Sequence, residues 1–122
     1  MINLTKKETE VMRIFWKLGE PVKASDIAAQ TSMSVYSVQQ VLARLLEGGL
    51  IQVAGITHTK KAIARTYEPV MSEADFIYST LNGENTGFEF SLNYVKGSEN
   101  LEQLCQLEKK IQDKLKALKE QQ

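Results

Sequence analysis

Cysteine is almost absent: Cys105 is the only one in 122 residues, which excludes an intrachain disulfide and any cysteine-rich metal site. Histidine also occurs once, and His58 has no acidic or thiol neighbour close by in sequence. There is no glycine-rich phosphate loop and no His/Cys/Asp cluster with ligand spacing. A nucleophile paired with a base has no material here, so no enzyme, no cofactor and no metal are expected. No stretch reaches the roughly 18 consecutive apolar residues of a membrane span. The first ten residues are charged within their first turn and hold no apolar run of signal-peptide length, so a cytoplasmic protein with no membrane partner is expected. Net charge is lacking as well. Fifteen Lys/Arg balance fifteen Asp/Glu, which argues against nonspecific polyanion binding by the whole molecule.

What is present is enough apolar material for a core, at 43% of residues, and an uneven placement of charge. Residues 1–70 hold nine Lys/Arg against six Asp/Glu, a balance of +3, while residues 71–122 hold six against nine, a balance of −3. A basic front and an acidic rear suit a nucleic-acid-reading module joined to a part that does not touch nucleic acid. Two regions are expected on this basis, 1–70 and 71–122.

The segment Asp26–Leu46 carries the most information. It reads as a short helix, a tight turn and a longer helix. Ahead of it, Thr5-Lys-Lys-Glu8 has capping-box spacing and opens a helix with Val11, Ile14, Phe15 and Leu18 on one stripe, ended by Gly19 with Pro21 beyond. Trp16 lies off that stripe and is expected to be partly covered by another part of the molecule. The next helix is expected over Ala24–Gln30, with Ile27 buried and Ala28 small where helices cross. Thr31-Ser32 form the turn, and Met33 follows it. Ser34 caps a helix that runs to about Glu47 and stops at Gly48-Gly49. Val35, Val38, Leu42, Leu45 and Leu46 share one face of it, with Val41 also apolar. Tyr36, Ser37, Gln40, Ala43, Arg44 and Glu47 lie opposite. A structural helix usually fills its outer face with Lys and Glu. Short polar side chains at the start of this one suit insertion into a DNA major groove.

Two strands are expected next, Leu50–Ala54 and Ala62–Tyr67, joined by a loop over Gly55–Lys61. Helix-turn-helix followed by a β-hairpin is the winged-helix plan. His58, Lys60 and Lys61 then sit at the wing, where they can meet phosphates, each lysine adding about one released counterion to the salt dependence. From residue 71 the character changes. Ser72 opens a helix with Phe76, Ile77 and Leu81 as apolar positions, and Asn82–Gly87 reads as a loop. Phe88, Phe90, Leu92, Tyr94 and Val95 nearly alternate, which allows a strand. Ser98 caps a last helix reaching about Lys119, with Leu101, Leu104, Ile111, Leu115 and Leu118 at three-four spacing and Leu107 and Cys105 beside the seam. Glu108 falls on that seam and barely three heptads are available, which argues against a long independent coiled coil. The stripe either folds back on its own domain or pairs with a second subunit, and pairing is favoured because a winged-helix domain already closes its own core. The expected class is mostly α with a small β-hairpin, a winged helix-turn-helix domain plus a C-terminal helical dimerisation region.

On these residues the chain resembles the penicillinase repressor (BlaI/MecI/CopY) family of winged-helix regulators. The matching pieces are Leu4–Met12, Ile14–Glu20, Ser34–Val38, Leu42–Leu45, Gly49–Ile51 and Arg65–Pro69, and Gly87–Val95 is similar to the segment before the last helix in antibiotic-responsive members. The resemblance implies a homodimeric repressor that binds palindromic operator DNA through its third helices. It places base contacts on Tyr36, Ser37, Gln40 and Arg44, beside Ser34. It implies that the C-terminal helices make the dimer. The apolar residues read above as needing a cover there, Phe88, Phe90, Leu92, Tyr94, Leu101, Leu104, Ile111, Leu115 and Leu118, are the expected dimer contact. Members often carry a basic residue or threonine where this chain has Tyr36, Gln39 and Gln40, and the wing over Ile56–Ile63 is longer than usual. Copper-responsive members have paired cysteine motifs, for which Cys105 alone is no substitute. Antibiotic-responsive members are cleaved by a regulatory protease beside an Asn-aromatic step, to which Asn93-Tyr94 is similar. A winged helix used for protein contact, as an adaptor or anti-repressor, stays open as the alternative.

Overall fold

The computed structural model describes residues 3–58, 62–81 and 84–122. The elements in chain order are α1 (Lys6–Leu18), α2 (Ala24–Ala29), α3 (Val35–Glu47), β1 (Ile51–His58), β2 (Ile63–Pro69), α4 (Glu73–Thr80), α5 (Glu84–Gly97) and α6 (Leu101–Glu120). This is a winged helix-turn-helix followed by helices, mostly α with one small hairpin. The chain forms two compact units, Met1–Thr80 and Leu81–Gln122.

Local chemistry accounts for the first three helices. Thr5 accepts a hydrogen bond from the Glu8 N–H at 3.2 Å, and α1 ends at Gly19, whose φ of 68° lets its N–H reach the Phe15 carbonyl. Asp26 in the first turn of α2 accepts from the Lys23 N–H at 3.3 Å. Thr31 Oγ1 accepts from the Met33 N–H at 3.0 Å and donates to the Ala28 carbonyl at 3.3 Å, which fixes the turn. Ser34 caps α3 by accepting from the Ser37 N–H at 3.1 Å. At the other end Gly49 adopts φ 76°, its N–H bonds the Leu46 carbonyl, and the Leu50 N–H bonds the Leu45 carbonyl at 3.0 Å. That pair of bonds is a Schellman motif, and it turns the chain directly into β1.

The core lies where α1, α2, α3 and the root of the hairpin meet. Val11, Met12 and Phe15 from α1, Ile27 from α2, and Val38, Val41, Leu42 and Leu45 from α3 are essentially removed from solvent, with Val22, Leu50 and Ile51 closing it. Each such side chain contributes about 1.5–3 kcal/mol of burial, so this cluster dominates the stability of the first unit. Ala28 and Met33 are partly buried against it. One expectation fails here: Val35 is 42% exposed, because as the first residue of α3 it lies a turn short of the core, and Val41 takes the buried position.

The hairpin is longer than the sequence indicates. Gly55–His58, expected as loop, continue β1 and pair with β2 as Gly55↔Thr66, Ile56↔Arg65, Thr57↔Ala64 and His58↔Ile63. Below them Ile51↔Pro69, Gln52↔Glu68 and Val53↔Tyr67 pair, with the register shifting between Val53 and Gly55. The unpaired Ala54 is therefore a β-bulge. Val22 adds a short third strand by exchanging backbone bonds with Tyr67 at 3.0 and 2.8 Å.

Trp16 is covered as expected. Its indole N–H donates to the Met71 carbonyl at 3.1 Å, and its ring packs on Phe76 at a centroid distance of 5.3 Å. These contacts hold the start of α4 to α1, so the first compact unit runs past residue 70 to Thr80. The Ser72 hydroxyl accepts from the Asp75 N–H at 3.1 Å at the head of α4.

In the second unit the part of the expected loop from residue 84 to Gly87 and the strand expected over 88–95 are both replaced by α5, while residues 82 and 83 lie outside the described residues. Phe88, Leu92 and Val95 follow helical spacing on one side, and Phe90 and Tyr94 do so on the other. A helix apolar on two sides mimics strand alternation, which explains the misreading. Two smaller differences concern helix ends. The cap of α6 is Asn100, accepting from the Gln103 N–H at 3.0 Å, while Ser98 accepts only from the Asn100 N–H; and α2 closes at Ala29.

Candidate nucleic-acid interface

The outer face of α3 is free of packing within the first unit. Tyr36 is 69% exposed, and one turn later Gln40 donates from Nε2 to the Tyr36 hydroxyl at 3.0 Å. Ser34 and Ser37 bond one another through their hydroxyls at 3.2 Å, with Ser34 also serving as the cap. These four side chains form one polar patch over the first turns of α3. Each keeps spare donor or acceptor capacity, the minimum a base edge or phosphate requires.

Arg44 lies one turn beyond Gln40 and does not stand alone. Its Nε is 3.8 Å from Glu8 Oε1 of α1; the arginine side chain is 51% exposed and the glutamate 13%. A carboxylate that covered needs compensation, which Arg44 and the N-terminal turn of α1 supply. Sequence reasoning identifies Glu8 only as a capping residue, because nothing local couples two residues on different helices. It misses Arg65 as well. That residue is exposed on β2 opposite Ile56, in a strand recognised only by its apolar positions. His58 ends β1, exposed and opposite Ile63. Lys60 and Lys61 lie outside the described residues.

In the second unit Phe88, Phe90, Leu92, Tyr94, Leu101, Ile111, Leu115 and Leu118 are all exposed, and Leu104 is half-buried. The Tyr94 hydroxyl donates to Gln103 Oε1 at 2.7 Å and ties α5 to α6. Asn93 and Tyr94 are both within α5, so the peptide between them is helical. Among the described residues no group of three or more His/Cys/Asp/Glu could hold a metal ion, and no helix is long and apolar enough to cross a membrane.

The sequence model of the penicillinase repressors matches residues 4–120. The chain belongs to the penicillinase repressor family. No curated protein matches it. Among solved structures, a mutant of ZitR from Lactococcus lactis is similar to this penicillinase-repressor-family chain at 17% identity, covering 98% of this chain and 76% of that one with a TM-score of 0.51. A mutant of MepR from a multidrug-resistant S. aureus clinical isolate is similar at 13% identity, covering 95% and 80% with a TM-score of 0.53. At these identities the likeness is one of fold, and it agrees with the winged helix described above.

Proposed function

We propose that this chain is a dimeric, DNA-binding transcriptional repressor that reads a palindromic operator through α3 and the wing of each subunit. The observation that carries the reading is the free polar face of α3, in a chain whose family is that of the penicillinase repressors. Tyr36, Ser37 and Gln40 meet base edges, and Ser34 at the helix N-terminus meets a phosphate. Arg44, Lys60 and Lys61 supply positive charge to the DNA, and His58 adds ring hydrogen-bonding groups beside them. The exposed apolar residues of α5 and α6 join two copies, matching the two-fold symmetry of the site. A regulatory protease acting at Asn93–Tyr94 would meet a helical peptide, so cleavage requires local opening of α5.

Fluorescence anisotropy tests the reading, using duplex DNA from upstream of the protein's own gene and a scrambled duplex of equal length. The expected outcome is tight binding to the first, with log affinity falling linearly against log salt. Equal affinity for the scrambled duplex at every salt concentration overturns it and favours a role in protein contact.

A further inference from the structure

An apolar stripe runs out of the core along one face of the wing. Directly paired residues on neighbouring strands point to the same face, as do residues two apart along a strand. On β2, Ile63, Arg65, Tyr67 and Pro69 therefore share a face. Their partners His58, Ile56, Val53 and Ile51 share it too. Simple alternation along β1 would set Val53 and Ile56 on opposite faces. The bulge at Ala54 shifts the alternation by one and brings them together. The stripe opens steadily to solvent: Ile51 is 2% exposed, Val53 45%, Ile56 58% and Ile63 68%. A two-stranded ribbon has no core of its own to cover the outer isoleucines.

We propose that Ile56 and Ile63 are seated against the deoxyribose-lined wall of a DNA groove, with Arg65 beside them on a phosphate. The occupant is chosen by charge. Arg65 stands opposite Ile56, His58 stands opposite Ile63, and the sequence continues from His58 into Thr59-Lys60-Lys61 with no acidic residue on the stripe. Apolar side chains beside the Arg65 cation, with no carboxylate among them, fit the sugars and phosphates of DNA, a pairing used by wedge-inserting DNA binders. The wing then makes an apolar, salt-independent contribution to affinity alongside the ionic one. The inference rests on the proposed DNA binding and deepens it.

The test compares the native protein with Ile56→Ser/Ile63→Ser and with Arg65→Ala, all full length, on a duplex selected by the native protein from a random pool. Both isoleucines are more than half exposed, so the variants should melt close to the native protein. The double serine variant should bind roughly ten-fold or more weakly at every salt concentration, with the slope of log affinity against log salt unchanged. Arg65→Ala should flatten that slope by about one counterion. Native-like affinity of the serine variant overturns the inference while leaving DNA binding intact, and assigns the stripe to a protein partner. Loss of affinity with a flattened slope overturns it as well, because the isoleucines then only position charge. A native protein that enriches no sequence from the pool overturns both this inference and the reading beneath it.

Discussion

In the proposed repressor Arg44 has two uses for one charge. Toward α1 it faces the Glu8 carboxylate, and with half its side chain in solvent it is also available to a phosphate. With the arginine half in solvent and 3.8 Å away, the ion pair contributes about 1 kcal/mol or less, although the covered Glu8 carboxylate draws its compensation from it. Beside DNA the same carboxylate subtracts from the positive charge that Arg44 offers. We predict that Glu8→Gln changes stability by less than about 1 kcal/mol. It should also tighten DNA binding a few-fold at low salt, an effect that fades as salt rises. The gain should vanish in an Arg44→Ala background. Equal changes in both backgrounds, measured by anisotropy, would show that Glu8 acts through folding alone. The exposure of Tyr36 and Gln40 was legible from their positions on the α3 wheel. The Glu8–Arg44 ion pair and the pairing of Arg65 with Ile56 were not, since both arise from neighbours distant in sequence.

Among the elements, those fixed by short-range chemistry were readable, and those fixed by tertiary context were not. The caps at Thr5 and Ser34 and the glycine stops of α1 and α3 are patterns of a few residues and form as expected, except that the Glu8 side chain faces Arg44 instead of closing the capping box on Thr5. The bulge at Ala54 leaves no such pattern, because it follows from how β1 meets β2. Helix α5 hides its period behind apolar residues on two sides. The α3 stop also yields a contrast between adjacent glycines. Gly49 has φ 76°, and a methyl group added there would meet nothing within 4 Å, so Gly49→Ala is opposed by backbone strain alone. Its expected cost is about 1–2 kcal/mol. Gly48 is in the right-handed region, and an added methyl would meet the Arg44 carbonyl oxygen at 3.4 Å, an ordinary contact. Gly48→Ala should therefore be neutral or slightly stabilising. Urea melts of the two variants decide it: similar midpoints would mean that the Schellman turn does not control the passage from α3 to β1.

At the scale of the molecule, the two units differ in what they can do alone. The first has a closed core, and every fully buried side chain among the described residues belongs to it. The second has no buried residue among those described, and its large apolar side chains face outward from both long helices. Ordering a residue costs about 1–2 kcal/mol in backbone entropy, and helices with so little burial do not offset that without a partner. In the proposed dimer a second copy of the same helices would supply an equally apolar surface and bring two α3 helices onto one duplex. Joining two reading modules makes the second contact intramolecular, which raises affinity by about 10²–10⁴ without any new contact per module. Ile111→Glu/Leu115→Glu places charge on the exposed stripe of α6 while leaving the first unit untouched. If the proposed dimer forms through α6, sedimentation should find a monomer for this variant and a dimer for the native protein. Affinity for a two-fold symmetric duplex should fall by about 100-fold or more, and affinity for a half-site should hold. Trp16, the only tryptophan, packs on Phe76 within the first unit, so an unchanged emission spectrum certifies that this unit stays folded. A variant that remains dimeric, or a monomer that binds the full site as tightly as the native protein, would remove α6 from the assembly that reads DNA.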